Sequence, residues 1–196
     1  MSITFENIMT MAISSSVTIL FAAIVMDFML FEKKGGVKRE KRSIVATGTM
    51  TLFYLVYFIV IWSRIGEIIP EGSLYIKSVR IAGTVLVALG SAMNILGRLS
   101  LKGNWADHVR IYKDQTLVET GIYSIVRHPL YSSLMVMLYG GSLAYLNWAS
   151  AVLTTFVFIP FMYYRAKQEE GFLLQEFERY EDYRKRVGMF FPKFWR

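Results

Sequence analysis

The sequence predicts an all-α integral membrane protein with five transmembrane helices. Hydrophobic residues make up 54% of the 196 residues and charged residues only 19%, whereas an average soluble domain carries about 25% charged residues. The formal net charge is +7, and the basic residues lie mostly between and after long uncharged runs. Apolar helices joined by basic segments are typical of a protein whose helices face lipid.

The uncharged runs define the helices, because about 20 apolar residues cross roughly 30 Å of hydrocarbon. Three runs cover residues 8–26, 44–63 and 81–97, and a fourth, residues 129–164, is long enough for two spans that turn near residues 146–148. Small residues such as Gly90 and Gly140 predict close helix packing. We predict a single membrane domain over residues 1–196, with spans at approximately 8–30, 44–63, 79–98, 129–146 and 148–165.

The charges of the connecting segments predict the orientation of the spans. Basic clusters follow the first, third and fifth spans, whereas the segment between the second and third carries Glu67 and Glu71. The N-terminus is therefore expected outside and the C-terminus in the cytoplasm. Since Glu6 and no basic residue precedes the first run, a signal peptide is disfavoured. A short chain with these five spans suits the plasma membrane of a prokaryote.

The composition excludes several classes of chemistry. There is no cysteine, so thiolate nucleophiles, disulfides and iron–sulfur clusters are excluded, and with two histidines no metal site is expected. The basic clusters are explained by topology and do not indicate a nucleic-acid partner. A transporter would carry ionisable residues inside its spans, and only Asp27 comes close.

Two polar segments contain the candidate functional residues. Arg165 and Glu169 are four residues apart and share a helix face where the fifth span ends, and Glu170 is adjacent. Apolar residues then recur at three- and four-residue steps, which predicts one amphipathic helix from residue 165 to 187, ended by Gly188. The recurring residues are Leu173, Phe177, Tyr180, Tyr183 and Val187.

The other polar segment covers residues 103–131 and ends at the fourth span. Pro129 suits the first turn of a helix, where its missing N–H costs nothing. The unpaired N–H groups of that turn, together with Arg127 and His128, are expected to attract a carboxylate or phosphate. Ordinary alternatives are a lipid-facing cation for Arg127 and a helix cap for His128.

These two segments resemble a known family. The run QTLVETGIYSIVRHPLY (115–131), the Glu169–Glu170 pair and the ending FERYEDYRKRV are similar to the isoprenylcysteine carboxyl methyltransferases, a group that extends to phospholipid methyltransferases. The resemblance covers residues 103–192. It implies a membrane enzyme that uses S-adenosylmethionine, releases S-adenosylhomocysteine, and methylates the carboxylate of a prenylated cysteine at the cytoplasmic face.

The resemblance also implies site residues within segments 103–131 and 165–192. Arg165 is implied as the residue that faces the substrate, and Glu169 as a second catalytic residue that faces the cofactor and can exchange roles with Glu170. No metal is implied. The implied cofactor-binding residues are His108, Gln115, Thr116, Leu117, Val118, Tyr123, His128, Pro129, Leu130, Tyr131, Glu169 and Glu170.

Two other functions stay open at this point. The eukaryotic members of the family carry additional N-terminal spans, so a chain close to the minimal core suits a small lipid acceptor. The same cofactor site would also serve a lipid amine or a small thiol. A membrane scaffold or transport subunit without enzymatic activity is the second of these other functions.

Overall fold

Seven α-helices form most of the part of the chain that the structure describes. The computed structural model describes residues 4–30, 37–41, 44–68, 74–101, 109–112 and 116–193. The described residues also form two short strands, a 3₁₀ turn at Gly121–Ser124 and a π-helical turn at Thr154–Phe158. In chain order the elements are α1 (Phe5–Leu30), β1 (Val37–Lys41), α2 (Ile44–Trp62), α3 (Leu74–Leu101), β2 (Val109–Tyr112), α4 (Pro129–Ala144), α5 (Trp148–Leu153), α6 (Ile159–Glu176) and α7 (Tyr180–Arg186).

Two of the helices are long and apolar enough to cross a bilayer. They are α3 and the Phe5–Asp27 part of α1, and α2 contains a shorter apolar stretch, Gly48–Trp62. The remaining predicted spans lie on α4 and on the continuous α5–α6 segment. The fold is therefore that of an apolar helical protein, while the number of crossings and their orientation stay predictions.

A two-stranded antiparallel sheet joins two connecting segments, and the sequence analysis did not predict it. In its register Arg39 pairs with Ile111 and Lys41 pairs with Val109. β2 also lies against α6. Pairing satisfies backbone groups that have no helical partners, so β1 is held close to α6 through β2.

Ion pairs tie α1 to α3 at both ends. Near the start of each helix, Arg80 Nη1 lies 2.8 Å from Glu6 Oε1, and near their other ends Arg98 Nη1 lies 3.2 Å from Asp27 Oδ2. The two acidic residues are about 30 Å apart along α1, at 1.5 Å per residue. Parallel packing in one register follows from these two pairs, although many apolar side chains of α1 are exposed.

Glycines allow α3 and α4 to pack backbone to backbone. A Cβ atom added at Gly83 would lie 2.6 Å from Gly140 O and would also clash with the backbone of Ala144. A Cβ at Gly90 would lie 2.8 Å from Ser133 O. The predicted close packing of small residues is therefore present, and it fixes the position of α4.

Gly83→Ala is expected to lower the free energy of unfolding by about 1–3 kcal/mol, because the added methyl group meets backbone that must move. Gly48→Ala is the matched control, since a Cβ there has no atom within 4 Å, and its change should stay within about 0.5 kcal/mol. Denaturant unfolding in detergent measures both. Equal effects of the two variants would contradict the close packing of α3 against α4.

The hydrophobic core joins α2 to α4 and to the α5–α6 segment. Tyr57 also donates a hydrogen bond from its hydroxyl to Leu138 O at 2.6 Å, which links α2 to α4. This core supports the helix α4 from the side opposite α3. Its buried members are Phe53, Tyr57, Met135, Leu138, Phe158 and Met162.

A π-helical turn, Thr154–Phe158, connects α5 with α6. Pro160 follows at the start of α6 and has no N–H to donate to the carbonyl four residues earlier. The wider turn accommodates that missing bond without interrupting the helical path. α6 therefore continues from the core to Glu176 and carries the charged residues of the candidate site.

The predicted single helix from residue 165 to 187 is wrong, because the chain breaks between α6 and α7. Phe177 is extended, with φ −124° and ψ 108°. The break allows Tyr180 and Tyr183 of α7 to be buried against Leu117 and Leu173. This packing of α7 brings it close to the 3₁₀ turn, where Tyr183 donates to Tyr123 O. The packing therefore decides the local structure against the helical periodicity of the sequence.

Candidate active site

Charged and aromatic side chains from α4 and α6 meet at the end of the molecule where α4 begins. The first turn of α4 supplies His128 and Tyr131, and α6 supplies Arg165, Glu169 and Glu170. These five residues, all predicted from the sequence, form the α4–α6 cluster. Their assembly depends on the packing of α4 described above.

His128 lies between the two carboxylates of the cluster. Its Nε2 is 3.3 Å from Glu170 Oε1, and its Nδ1 is 3.5 Å from Glu169 Oε2. Burial of the ring, which is 8% exposed, lowers the pKa, but the two carboxylates outweigh it and the pKa of His128 is raised. The ring is therefore a cation over a wider pH range than an ordinary histidine.

Glu170 is a buried carboxylate held by two cations. Arg127 places Nε 2.8 Å and Nη2 2.7 Å from Glu170 Oε1, and His128 contacts the same oxygen. Burial raises the pKa of Glu170, but His128 and Arg127 outweigh it and lower the pKa to about 2. Its Oε2 is buried and accepts no hydrogen bond from the part of the chain that the structure describes, so one acceptor oxygen is available for a ligand.

Glu169 connects the other half of the cluster. Tyr131 donates its hydroxyl hydrogen bond to Glu169 Oε1, and Arg165 Nε lies 3.5 Å from the same oxygen. Burial acts to raise the pKa of Glu169, but His128, Tyr131 and Arg165 together lower it. The Arg165 guanidinium also lies 6.0 Å from the centre of the Tyr131 ring, so the arginine is close to both groups.

The C-terminal residues cover the start of α4. Arg127 N donates to Gly188 O at 2.8 Å, and His128 N donates to Met189 O at 3.0 Å. The Phe190 ring packs edge-on against His128, with centroids 6.0 Å apart. These two N–H groups precede the first turn of α4, and within that turn Tyr131 N donates to His128 O at 3.1 Å, so the expected anion site at the start of the helix stays a prediction.

Two residues beside the cluster were not among the predicted site residues. Arg127 was expected to attract an anion together with His128, with a lipid-facing cation as the alternative, but it was not assigned to the cofactor or to catalysis. Its guanidinium also donates to Arg184 O at 3.1 Å and to Val187 O, which ties it to α7. Phe190 gave no signal in the sequence, since it follows the end of the predicted helix.

The other predicted site residues lie at different distances from the cluster. Tyr123 is buried, and its carbonyl accepts a hydrogen bond from Tyr183 Oη at 2.6 Å. Leu117 packs in the α7 cluster, and Thr116 and Val118 flank it. Pro129 is buried.

Leu130 turns away from the cluster. It packs against α3, where a Cβ at Gly97 would lie 2.8 Å from Leu130 Cδ2. His108 and Gln115 lie outside the described residues. The roles that the resemblance implies for all these positions stay predictions.

The free energy of unfolding is expected to be highest between about pH 4.5 and 6.5. The pKa of Glu170 is lowered from 4.5, so its stabilising effect is complete above pH 4.5 and is lost as the pH falls towards about 2. The pKa of His128 is raised from 6.5, so its effect is complete below pH 6.5 and is lost as the pH rises through the folded value.

Unfolding in detergent over a pH series measures this profile. Glu170→Gln should flatten the acidic limb and His128→Gln the alkaline limb. If both variants kept the full profile of the parent protein, the cluster would not be the source of the pH dependence.

Comparison with known proteins gives a family match over these same elements. Residues 83–175 match the Isoprenylcysteine carboxyl methyltransferase (ICMT) family. The matched region begins in α3 and ends in α6, so it contains every residue of the α4–α6 cluster. α1, α2 and α7 lie outside it.

Curated relatives agree with the family match. The chain is 32% identical to the protein-S-isoprenylcysteine O-methyltransferase of Saccharomyces cerevisiae over 123 residues, which are 61% of this chain and 52% of that protein. It is 34% identical over 113 residues to a probable protein-S-isoprenylcysteine O-methyltransferase of Oryza sativa subsp. indica, covering 56% and 59%. The chain thus spans less than two thirds of the length of these relatives.

Proposed function

We propose that this chain, whose residues 83–175 match the isoprenylcysteine carboxyl methyltransferase family, is an S-adenosylmethionine-dependent carboxyl O-methyltransferase. Its acceptor is an isoprenylcysteine-type lipid. The observation that carries this proposal is the α4–α6 cluster, which combines an arginine, a histidine, the partly buried carboxylate of Glu169 and the buried carboxylate of Glu170 within the family region. The names of the relatives support the same chemistry.

The cluster fits the amino-acid end of S-adenosylmethionine, which carries one carboxylate and one ammonium. The buried Oε2 of Glu170 accepts no hydrogen bond from the described residues and is suited to the ammonium. His128 and Tyr131, on the first turn of α4, are suited to the carboxylate. The adenine is proposed to lie near residues 115–118 and Tyr123, as the resemblance implies.

The proposed role of Arg165 is to hold the carboxylate of the acceptor. S-adenosylmethionine supplies an electrophilic methyl group on a sulfonium, and transfer requires nucleophile, methyl and sulfur to be in line. A carboxylate is already ionised at neutral pH, so the site needs no strong base. The planar guanidinium can bind two carboxylate oxygens at once. Glu169 Oε1, 3.5 Å from Arg165 Nε, restricts the orientation of the guanidinium.

The location of the site suits a lipid acceptor. The cluster lies where α4 begins and midway along α6, and the apolar side chains of Phe156, in the turn before α6, and of Tyr164, on α6, are exposed. We propose that the protein has five spans and that the site lies at the cytoplasmic face, because basic connecting segments lie on that side of a membrane. The proposed membrane is the plasma membrane of a prokaryote. The prenyl chain would enter sideways between the helices.

The test uses purified protein, S-adenosylmethionine with a labelled methyl group, and N-acetyl-farnesylcysteine as acceptor. We expect a labelled product that releases methanol on treatment with base, because methyl esters hydrolyse. The methyl ester of the same acceptor has no free carboxylate and is the matched control.

Each other outcome identifies an alternative. A base-stable product on a lipid amine or thiol would replace carboxyl methylation by methylation of another nucleophile. No incorporation into any acceptor would contradict the enzymatic proposal and favour a scaffold or transport subunit.

A further inference from the structure

A chain of buried polar contacts runs from α1 to the candidate site. Arg98 of α3 places Nη1 3.2 Å from Asp27 Oδ2 on α1 and donates from Nε to Asn94 Oδ1 at 3.1 Å. Asp27 is 8% exposed and Asn94 is 2% exposed. One guanidinium therefore joins a carboxylate on α1 to an amide on the face of α3 that packs against α4.

The contacts continue from Asn94 into the first turn of α4. Asn94 Nδ2 donates to Ser133 Oγ at 2.7 Å and to Leu130 O at 3.3 Å, and Ser133 Oγ donates to Leu130 O at 2.7 Å. His128 and Tyr131 belong to this same turn. Movement of Asn94 would therefore move the two residues that face Glu169 and Glu170.

The Asp27–Arg98 pair is one of the two ion pairs described above between α1 and α3. Glu6 and Arg80 already join α1 to α3 at the opposite end, with a 2.8 Å contact. A buried ion pair is weak evidence for stability, and its better attested use is to select one geometry. Asp27 also lies outside the family region of residues 83–175, on the N-terminal helix α1.

We propose that Asp27, Arg98, Asn94 and Ser133 are positioning residues that hold the first turn of α4 against α6. Asp27 fixes the direction of the Arg98 guanidinium, which presents Nε to Asn94, and Asn94 fixes the turn through Ser133 and Leu130 O. The inference rests on the proposed function for its kinetic readout. Its structural readout does not depend on that function.

The kinetic test compares Asp27→Asn with Glu6→Gln, which breaks the other α1–α3 pair. Asp27→Asn should raise the KM for S-adenosylmethionine about tenfold and leave the KM for the farnesylcysteine acceptor unchanged, since Arg165 on α6 is not displaced. Glu6→Gln should change neither constant. A purely structural role would reduce the amount of active protein and leave both KM values as they are.

Two further variants separate positioning from folding. Arg98→Lys keeps the charge opposite Asp27 but loses the planar fork, so its KM should lie between those of the parent and Asp27→Asn. Ser133→Ala removes only the last hydroxyl of the chain of contacts and should raise the same KM about threefold. Its value stays informative if Asp27→Asn does not fold.

The structural readout is the imidazole resonance of His128, which is one of only two histidines and is assigned with His108→Gln. Asp27→Asn and Ser133→Ala should shift the titration of His128 towards that of an exposed histidine, because the ring moves away from Glu169 and Glu170. Glu6→Gln should leave the titration unchanged. An unchanged titration in both variants would overturn the inference. If the titration shifts while the parent protein shows no methyl transfer, the proposed function fails and the positioning role stands.

Discussion

Arg165→Ala is expected to reduce methyl transfer by about 100- to 1,000-fold while binding of S-adenosylmethionine is retained. The guanidinium is proposed to hold the acceptor carboxylate, and removal of one preorganised charged donor costs about that factor in kcat. Its neighbours Glu169 and Tyr131 remain on α6 and α4, where they contact each other directly. Activity is measured at saturating S-adenosylmethionine, and binding is measured by calorimetry.

Lys167→Ala is the matched control for this variant. Lys167 is on the same helix but exposed, with Nζ 5.5 Å from the centre of the Tyr163 ring, so its loss should leave methyl transfer within about twofold. If Arg165→Ala retained both binding and transfer, Arg165 would be only a basic residue at the end of a helix. If it lost binding as well, its role would lie with the cofactor.

His128→Ala is expected to weaken the binding of S-adenosylmethionine by about 10- to 100-fold. A hydrogen bond to a charged group contributes about 1.5–3 kcal/mol, and about 2.8 kcal/mol corresponds to a factor of 100. The variant also leaves Glu169 and Glu170 without the imidazolium that lies between them. Calorimetry with the purified protein measures the change.

Arg186→Ala serves as the control for His128→Ala. Arg186 forms an exposed ion pair with Glu119 at 2.9 Å in the same region but outside the cluster, and exposed pairs contribute little. Its affinity for the cofactor should equal that of the parent protein. Unchanged affinity in His128→Ala would remove this residue from the site.

The sequence predicted the helices well because charge-free runs are set by the chain itself. The run at residues 44–63 corresponds to α2, which ends at Trp62. The run at residues 129–164 divides at residues 145–147, where Asn147 caps α5 by accepting from Ser150 N at 2.8 Å. The sheet and the break at Phe177 escaped prediction because both depend on packing between segments distant in sequence.

The cluster was predicted less completely than the helices. The i, i+4 spacing of Arg165 and Glu169 indicated a shared face, and their family resemblance indicated His128 and Tyr131. The pairing of Arg127 with Glu170 was missed because 43 positions separate them. The same holds for Asp27, whose partner Arg98 lies 71 positions away, so only the packing of α1 on α3 shows the contact.

The central claim is that the α4–α6 cluster binds S-adenosylmethionine. The most direct test is a calorimetric titration of the purified protein in detergent with S-adenosylhomocysteine, the product of transfer, repeated with Glu170→Gln. We expect one site in the parent protein and a clearly weaker site in the variant, because the charged acceptor for the ammonium is lost. No binding to the parent protein, or equal binding to both, would contradict the claim.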